Sequence, residues 1–320
     1  MECDVAIPFP ERGARPYLPA MTTSADTRAG LYAAAGAYGL WGFLPLYFKL
    51  LGDAPPLVIL AHRIVWAVPT ALVLIAMAGK LGELRGLLGR PKILFALCAS
   101  SFAVAANWSI YIWAVTNNHV LEGSLGYFIN PLITFLFAAL LFGERFNRLQ
   151  VAALGIATLG VINQAVVVGK FPWVSLALAV TFAIYGAIRK KVPVDSRVGF
   201  GAETMWLAPF AAIYLLFLLP AGAPAFGQER AQDYLLFILL GPVTAAPLIL
   251  FAFGARKLKL STIATLQYIG PTLQFIIGIA LGEAFTARHA VTFGLIWAAV
   301  ALFTLSAWLA ERRVTPVIAD

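Results

Sequence analysis

Charge is scarce in this chain. Only 12% of its 320 residues are Asp, Glu, Lys or Arg, while 61% are hydrophobic and the mean hydropathy is +0.85. Soluble domains carry about 25% charged residues, and a chain this apolar has too little polar surface to cover itself in water. Cysteine is scarcer still. Cys3 and Cys98 are the only two, one in a polar tail and one in an apolar run, which excludes a disulfide framework and a cysteine metal site. Aspartate is almost missing from the body of the chain. Between residues 30 and 319 there are only Asp53, Asp195 and Asp233, all read as loop residues. Paired aspartates that could hold Mg²⁺ against a diphosphate are therefore lacking.

Other absences narrow the class further. No GxxxxGK[ST] phosphate loop occurs, which argues against ATP drive. Ser124 has Glu122 two positions away and His119 five away, but residues two apart do not share a helix face, so a serine nucleophile with its base is not formed. The chain is read as a non-enzyme needing no cofactor and no metal. Its net charge of +8 fits basic cytoplasmic loops of a membrane protein better than nucleic-acid binding. Residues 1–28 hold Pro8, Pro10, Pro16 and Pro19 without an apolar core. They read as a disordered tail and not as a cleavable signal peptide, with Met21 an alternative start.

Long apolar runs are what the chain has. About 20 apolar residues cross the hydrocarbon core as a helix. Ten runs qualify, near 30–50, 57–78, 93–115, 122–142, 149–168, 172–189, 199–219, 234–254, 261–281 and 290–310. With the N-terminus inside, eighteen lysines and arginines fall on inside segments, among them Arg85, Arg145, Arg189, Lys190, Lys191, Arg256, Lys257 and Lys259. Only Lys170, Arg230 and Arg288 fall outside. The bias predicts that both termini are cytoplasmic.

The runs repeat. RIVWAVPTAL from Arg63 matches ETMWLAPFAA from Glu203, with Trp66 and Pro69 standing 140 residues before Trp206 and Pro209. YFINPL matches YIGPTL with Pro131 and Pro271 in the same register, and FGERF at 142–146 matches LGEAF at 281–285 with one residue lost. Five spans per copy is an odd number, so the second copy is inverted. The predicted fold is all-α and integral to the membrane, with ten transmembrane helices as a 5+5 inverted repeat. Its parts are a tail over 1–28, a first repeat over 29–169, a second over 170–313 and a cytoplasmic tail over 314–320. Inverted repeats of this kind build secondary transporters.

Site residues follow from polarity at depth. Asn130-Pro131 and Gly270-Pro271 lie about 12 Å into their spans by helix rise, where a proline frees a carbonyl that must face protein or a water-filled cavity. Arg63 sits inside span two, where a permanent charge marks function or snorkels to the headgroups. Its immediate neighbour His62 reads as a structural hydrogen-bonding group. Glu203 is the repeat mate of Arg63. Depth argues against their pairing, so Glu122 is the expected partner of Arg63, and Lys257 or Lys259 that of Glu203, giving two half-gates. Glu203 is also the best proton-carrier candidate. The cavity wall is expected from Trp41, Tyr38, Asn107, Tyr111, Tyr127, Tyr185, Gln267, Tyr268 and Gln274, aromatic groups with a few hydrogen-bonding ones that suit a small amphipathic solute. Gly278/Gly282 and Ala139/Gly143 are spaced for close helix contact, either within one chain or in a homodimer.

AHRIVW, NWSIYIWAVTNNHVLEGSLGYFINPL, ETMW and QYIGPTLQF resemble the RarD-type permeases of the EamA family, in the drug/metabolite transporter superfamily, over residues 28–313. The resemblance implies a ten-helix inverted-repeat protein of the bacterial inner membrane. It implies export of metabolites, amino acids or drugs such as chloramphenicol, and a span-two arginine at Arg63. The N-terminal extension departs from the pattern. The partners expected are lipid, a small solute and protons as coupling ion, with no nucleic acid. Alternating access is the first reading and a passive channel or facilitator the alternative.

Overall fold

The computed structural model describes the backbone of residues 24–51, 54–116, 120–168, 173–218, 231–280 and 287–314. No strand occurs among these residues. They form α1 (Ser24–Leu50), α2 (Pro56–Met77), α3 (Leu81–Gly86), α4 (Pro91–Thr116), α5 (Val120–Phe142), α6 (Arg148–Val168), α7 (Trp173–Lys191), α8 (Ser196–Ile213), α9 (Ala231–Lys257), α10 (Leu260–Leu266), α11 (Ile269–Ala280) and α12 (Ala287–Val314). A helix satisfies its backbone within one segment, which hydrocarbon surroundings require. Among the described residues each apolar run lies on a helix, except that 199–219 passes from α8 into a π-helical turn at Tyr214–Leu218 and 261–281 is divided between α10 and α11. Five helical stretches, Pro56–Met77, Pro91–Tyr111, Trp173–Lys191, Ser196–Phe217 and Asp233–Lys257, are long and apolar enough by themselves to cross a membrane. The outer surface is apolar too: Val73, Leu140, Leu159, Val166, Leu216 and Phe217 are each more than half exposed.

Packing is pairwise. Helix α6 lies on α12, α5 on α7, and α1 on α9 and α11; α2 contacts α8 and α9, and α4 contacts α7 and α8. Small residues set the closest approaches. A Cβ on Gly241 of α9 would run into the Trp66 carbonyl of α2, and one on Gly42 of α1 would come within 2.6 Å of Leu273 Cβ on α11. Ala139/Gly143 does not serve this purpose. Gly143 lies just past α5 with φ 63° and has nothing near its absent Cβ. It ends the helix in the left-handed conformation, its N–H bonding the Ala139 carbonyl, so it is a terminator and not a packing groove. The surroundings of Gly278 and Gly282 lie outside the described residues.

One end of the bundle is tied by cations. Lys190 of α7 donates to the carbonyls of Ala255 and Leu258 at the end of α9. Arg256 donates to the Val194 carbonyl, and Lys257 pairs with Asp26 of α1. Cations at helix C-termini complement the exposed carbonyls there. Asp195 caps α8 by accepting from Arg197 N–H at 2.9 Å, and its side chain faces Arg197 at 3.0 Å and Lys80 at 3.4 Å. Burial alone would raise the Asp195 carboxyl. The hydrogen bonds and charge of Arg197, with the charge of Lys80, outweigh burial and hold it well below the usual carboxylate range. Asp233, expected in a loop, instead stands in the first turn of α9 and is buried, where it complements the N-terminal end of the helix dipole.

Candidate functional site

A cavity of about 310 Å³ lies between α1, α2, α4, α5, α7 and the α10–α11 junction, within the range of small-molecule sites. Helix α1 presents Tyr38, Trp41, Leu44 and Phe48 to it, a stripe at three- and four-residue spacing. Asn107, Trp108 and Tyr111 come from α4, Gly126, Tyr127 and Asn130 from α5, and Leu178 and Phe182 from α7. Arg63 comes from α2, and Gln267, Gly270, Pro271 and Gln274 form a further wall. Local sequence explains that wall. Pro271 has no N–H to give the Gln267 carbonyl, and the helix breaks at Gln267–Tyr268 between α10 and α11. The break borders the cavity, where irregular backbone is tolerated in a membrane. The matching Pro131 behaves differently. Helix α5 runs on through it, Pro131 is buried outside the cavity lining, and its neighbour Asn130 lines the cavity instead.

Arg63 is held without an anion among the described residues. Its Nε donates to Thr244 Oγ1 of α9 at 3.1 Å. Its guanidinium lies 4.6 Å from the centre of the Trp108 ring and 5.8 Å from that of Phe48, within cation–π range. Glu122, the expected partner, has its side chain outside the described residues. Tyr111 and Tyr127 stand ring to ring at 5.8 Å. Trp41 packs at 5.4–5.9 Å against Tyr38, Phe182 and Phe251.

The amides around the cavity are mostly engaged. Asn107 Nδ2 donates to the Leu178 carbonyl at 2.8 Å and to Thr181 Oγ1 at 3.0 Å, tying α4 to α7. Gln274 Nε2 donates to the Trp41 carbonyl at 3.1 Å, and Gln267 Oε1 accepts from Thr134 Oγ1 at 3.3 Å. Two polar atoms are left over. The Tyr38 hydroxyl, which lies near Gln267, and Asn130 Oδ1 are both buried without a hydrogen-bond partner. A buried polar atom left unpaired costs about 1–3 kcal/mol, so both atoms favour an occupant that bonds them.

The other expected site residues lie elsewhere. Tyr185 is buried and stacks on Phe251 at 5.7 Å. Tyr268 is buried in the apolar cluster that holds Phe135 and Phe303. Glu203 is not held by Lys257 or Lys259. Lys257 is taken by Asp26, and Glu203 pairs with Arg189 Nε of α7 at 3.5 Å while accepting from Ser100 of α4. The reason is the place of Arg189. It stands in an Arg-Lys-Lys run that reads as a loop, yet it is only 1% exposed because Gly199 of α8 has no Cβ and leaves room for the guanidinium. His62 accepts the Trp66 indole N–H at 3.2 Å and packs its ring on Phe237.

Trp108, Phe48, Phe182 and Thr244 went unsuspected in the sequence. Trp108 had a usable signal, since it sits three residues before Tyr111 and so shares its face. Thr244 and Arg189 had none. Among the described residues no cluster of three or more His, Cys, Asp or Glu could hold a metal.

Known proteins resemble this chain as a family, as individual relatives and as a solved structure. The profile of the EamA-like transporter family matches residues 28–163. Protein RarD of Escherichia coli (strain K12) is 41% identical over 291 residues, which is 91% of this chain and 98% of that protein. The uncharacterized transporter YojE of Bacillus subtilis (strain 168) is 43% identical over 88% of this chain and 95% of its own length. The chloramphenicol-sensitive protein RarD of Pseudomonas aeruginosa is 33% identical over 85% of this chain and 92% of its own. A solved crystal structure of 22% identity superposes over 89% of this chain and 99% of its own with a TM-score of 0.67, which speaks for the fold alone.

Proposed function

This chain belongs to the RarD-type proteins of the EamA-like transporter family, and from that premise we propose that it is a secondary-active permease exporting small amphipathic solutes by alternating access. It is a multi-pass membrane protein, and we place it in the bacterial inner membrane with both termini cytoplasmic. The observation that carries the reading is the cavity, whose wall is drawn from α1, α2, α4 and α5 on one side of the chain and from α7, α10 and α11 on the other.

The 5+5 inverted repeat belongs to the same proposal. Exchange α1 with α7, α2 with α8, α4 with α9, α5 with α10 and α11, and α6 with α12. The contact of α1 with α9 becomes that of α7 with α4, and α2 with α9 becomes α8 with α4. The contact of α5 with α7 becomes that of α10 and α11 with α1, while α2–α8 and α6–α12 map onto themselves. All these contacts occur. The charges follow the same exchange. Arg63 of α2 bonds a hydroxyl on α9, and Glu203 of α8 bonds a hydroxyl on α4. Two packings related by such an axis would open to opposite sides.

Chloramphenicol is a solute to test because one relative is called chloramphenicol-sensitive. The experiment uses purified protein in liposomes. Uptake of labelled chloramphenicol and of a panel of amino acids is measured with and without a pH gradient, beside Arg63→Ala. Saturable flux with counterflow, lost in the variant, supports a carrier. Flux without saturation or counterflow replaces it with a channel. If Glu203→Gln keeps a normal pH dependence, Glu203 is not the proton carrier.

A further inference from the structure

The polar groups of the cavity are of two chemical kinds. Arg63 is the cation, and among the described residues no aspartate or glutamate lines the cavity. Glu203 is occupied elsewhere by Arg189 and Ser100. Among the described residues, what touches the Arg63 guanidinium is neutral: the Thr244 hydroxyl and the faces of Trp108 and Phe48. These contacts orient the charge and do not compensate it. In low-dielectric surroundings an uncompensated cation attracts an anion far more strongly than it would in water. With Nε engaged by Thr244, the terminal Nη edge remains for the two-point grip that guanidinium makes on a carboxylate.

The second kind is neutral. Asn130 Oδ1 and the Tyr38 hydroxyl are more than nine-tenths buried as residues, line the cavity and lack hydrogen-bond partners. An amide oxygen only accepts, so its missing partner is an N–H or O–H donor. The wall also offers the apolar side chains Leu44, Trp41 and Phe182, which suit the body of an amphipathic molecule.

We propose that this cavity takes amphipathic organic carboxylates, with the carboxylate on Arg63, the apolar body on the aromatic wall and a neutral donor on Asn130 Oδ1, and that it rejects cationic amines. The proposal deepens the permease reading by naming its substrate class, and it rests on that reading for transport but not for binding. A positively charged head would meet Arg63 with no carboxylate among the described lining residues to offset the repulsion, whichever way round the molecule entered.

The test uses the purified full chain in phosphatidylcholine liposomes, whose headgroups carry no net charge, so that no lipid carboxylate or phosphatidylglycerol competes for Arg63. The probes share a phenethyl body and differ in the head: 3-phenylpropanoate, 3-phenylpropanol and phenethylamine. Binding is read by quenching of tryptophan fluorescence, since Trp41 and Trp108 line the cavity, and transport by counterflow. We expect 3-phenylpropanoate to bind at least tenfold tighter than phenethylamine, with the alcohol between. Arg63→Gln should erase the difference and Arg63→Lys should keep its sign. Asn130→Leu should weaken 4-aminophenylpropanoate, which carries a donor at its far end, more than 3-phenylpropanoate. Equal or tighter binding of the amine overturns the proposal, as does a preference unchanged in Arg63→Gln, or no binding by any of the three probes. Selective binding without counterflow upholds the substrate class and overturns the permease reading.

Discussion

Replacing Arg189 with methionine should destabilise the protein severely, and replacing Glu203 as well should restore it. Both side chains are almost fully enclosed, with exposures of 1% and 4%, and they approach at 3.5 Å. Arg189 also donates from Nη2 to the Ser196 carbonyl at 3.3 Å, and Glu203 accepts from Ser100. Arg189→Met removes the ion pair and leaves a buried carboxylate with one hydroxyl for company. Breaking a buried pair in this way costs about 3–5 kcal/mol. The intact pair is itself far from ideal, because Arg189 Nε and Nη1 make no hydrogen bond. An apolar replacement of both partners is therefore about neutral, or stabilising by as much as 1–4 kcal/mol. Ser100 is not orphaned by the change, since it also donates to the Leu97 carbonyl at 3.0 Å. The assay is equilibrium unfolding of the detergent-solubilised protein, followed by circular dichroism, for wild type, Arg189→Met, Glu203→Leu and the double variant. A single variant within about 1 kcal/mol of wild type, or a double variant as unstable as the two singles summed, refutes the argument. Gly199→Ala tests the same cluster from the other side, because its Cβ would occupy the place of the guanidinium.

Three further predictions concern the backbone and the basic end. Gly241→Ala should cost about 1–3 kcal/mol by overpacking, since its Cβ would press on the Trp66 carbonyl of α2, and a thermal shift below the equivalent of 0.5 kcal/mol would contradict that contact. Glu144 accepts from the N–H groups of Leu260, at 2.7 Å, and Ser261, at 3.2 Å, as well as from the Ser261 hydroxyl. Glu144→Ala should then cost about 0.5–2 kcal/mol, as lost caps do, and speed amide exchange at residues 260 and 261, whereas unchanged exchange there would dismiss the cap. Asp195 titrates below its free value when folded. Its contribution is fully present above the unfolded value of about 3.9, and it declines as the pH falls below that towards the folded value. Asp195→Asn should remove that part of the acid sensitivity, so parallel stability curves for wild type and variant between pH 5 and 2 would contradict it.

The helices were legible because hydrocarbon surroundings leave the backbone little choice. Arg63, Asn107, Tyr111, Asn130, Gln267 and Gln274 were legible as cavity residues for a related reason: a polar group inside an apolar run needs a partner, and a shared cavity is one place to find it. Pairings were not legible. Glu203 has lysines near its expected depth, but it bonds an arginine that the sequence leaves among loop cations. The break in the ninth run was half legible: Pro271 announced it, but the identical Pro131 passes without one. Ala139/Gly143 misled because spacing alone does not distinguish a packing groove from a helix end with positive φ.

From its sequence alone the chain is determined to be helical, apolar on its outside and related to transporters, since these follow from composition, run length and motif, all of which are local. Tertiary structure decided which charges meet, which amides are left unpaired and which aromatics enclose the cavity. Those depend on side chains far apart in the chain arriving at one point, and on absent atoms such as the Cβ of Gly199 that make room for them.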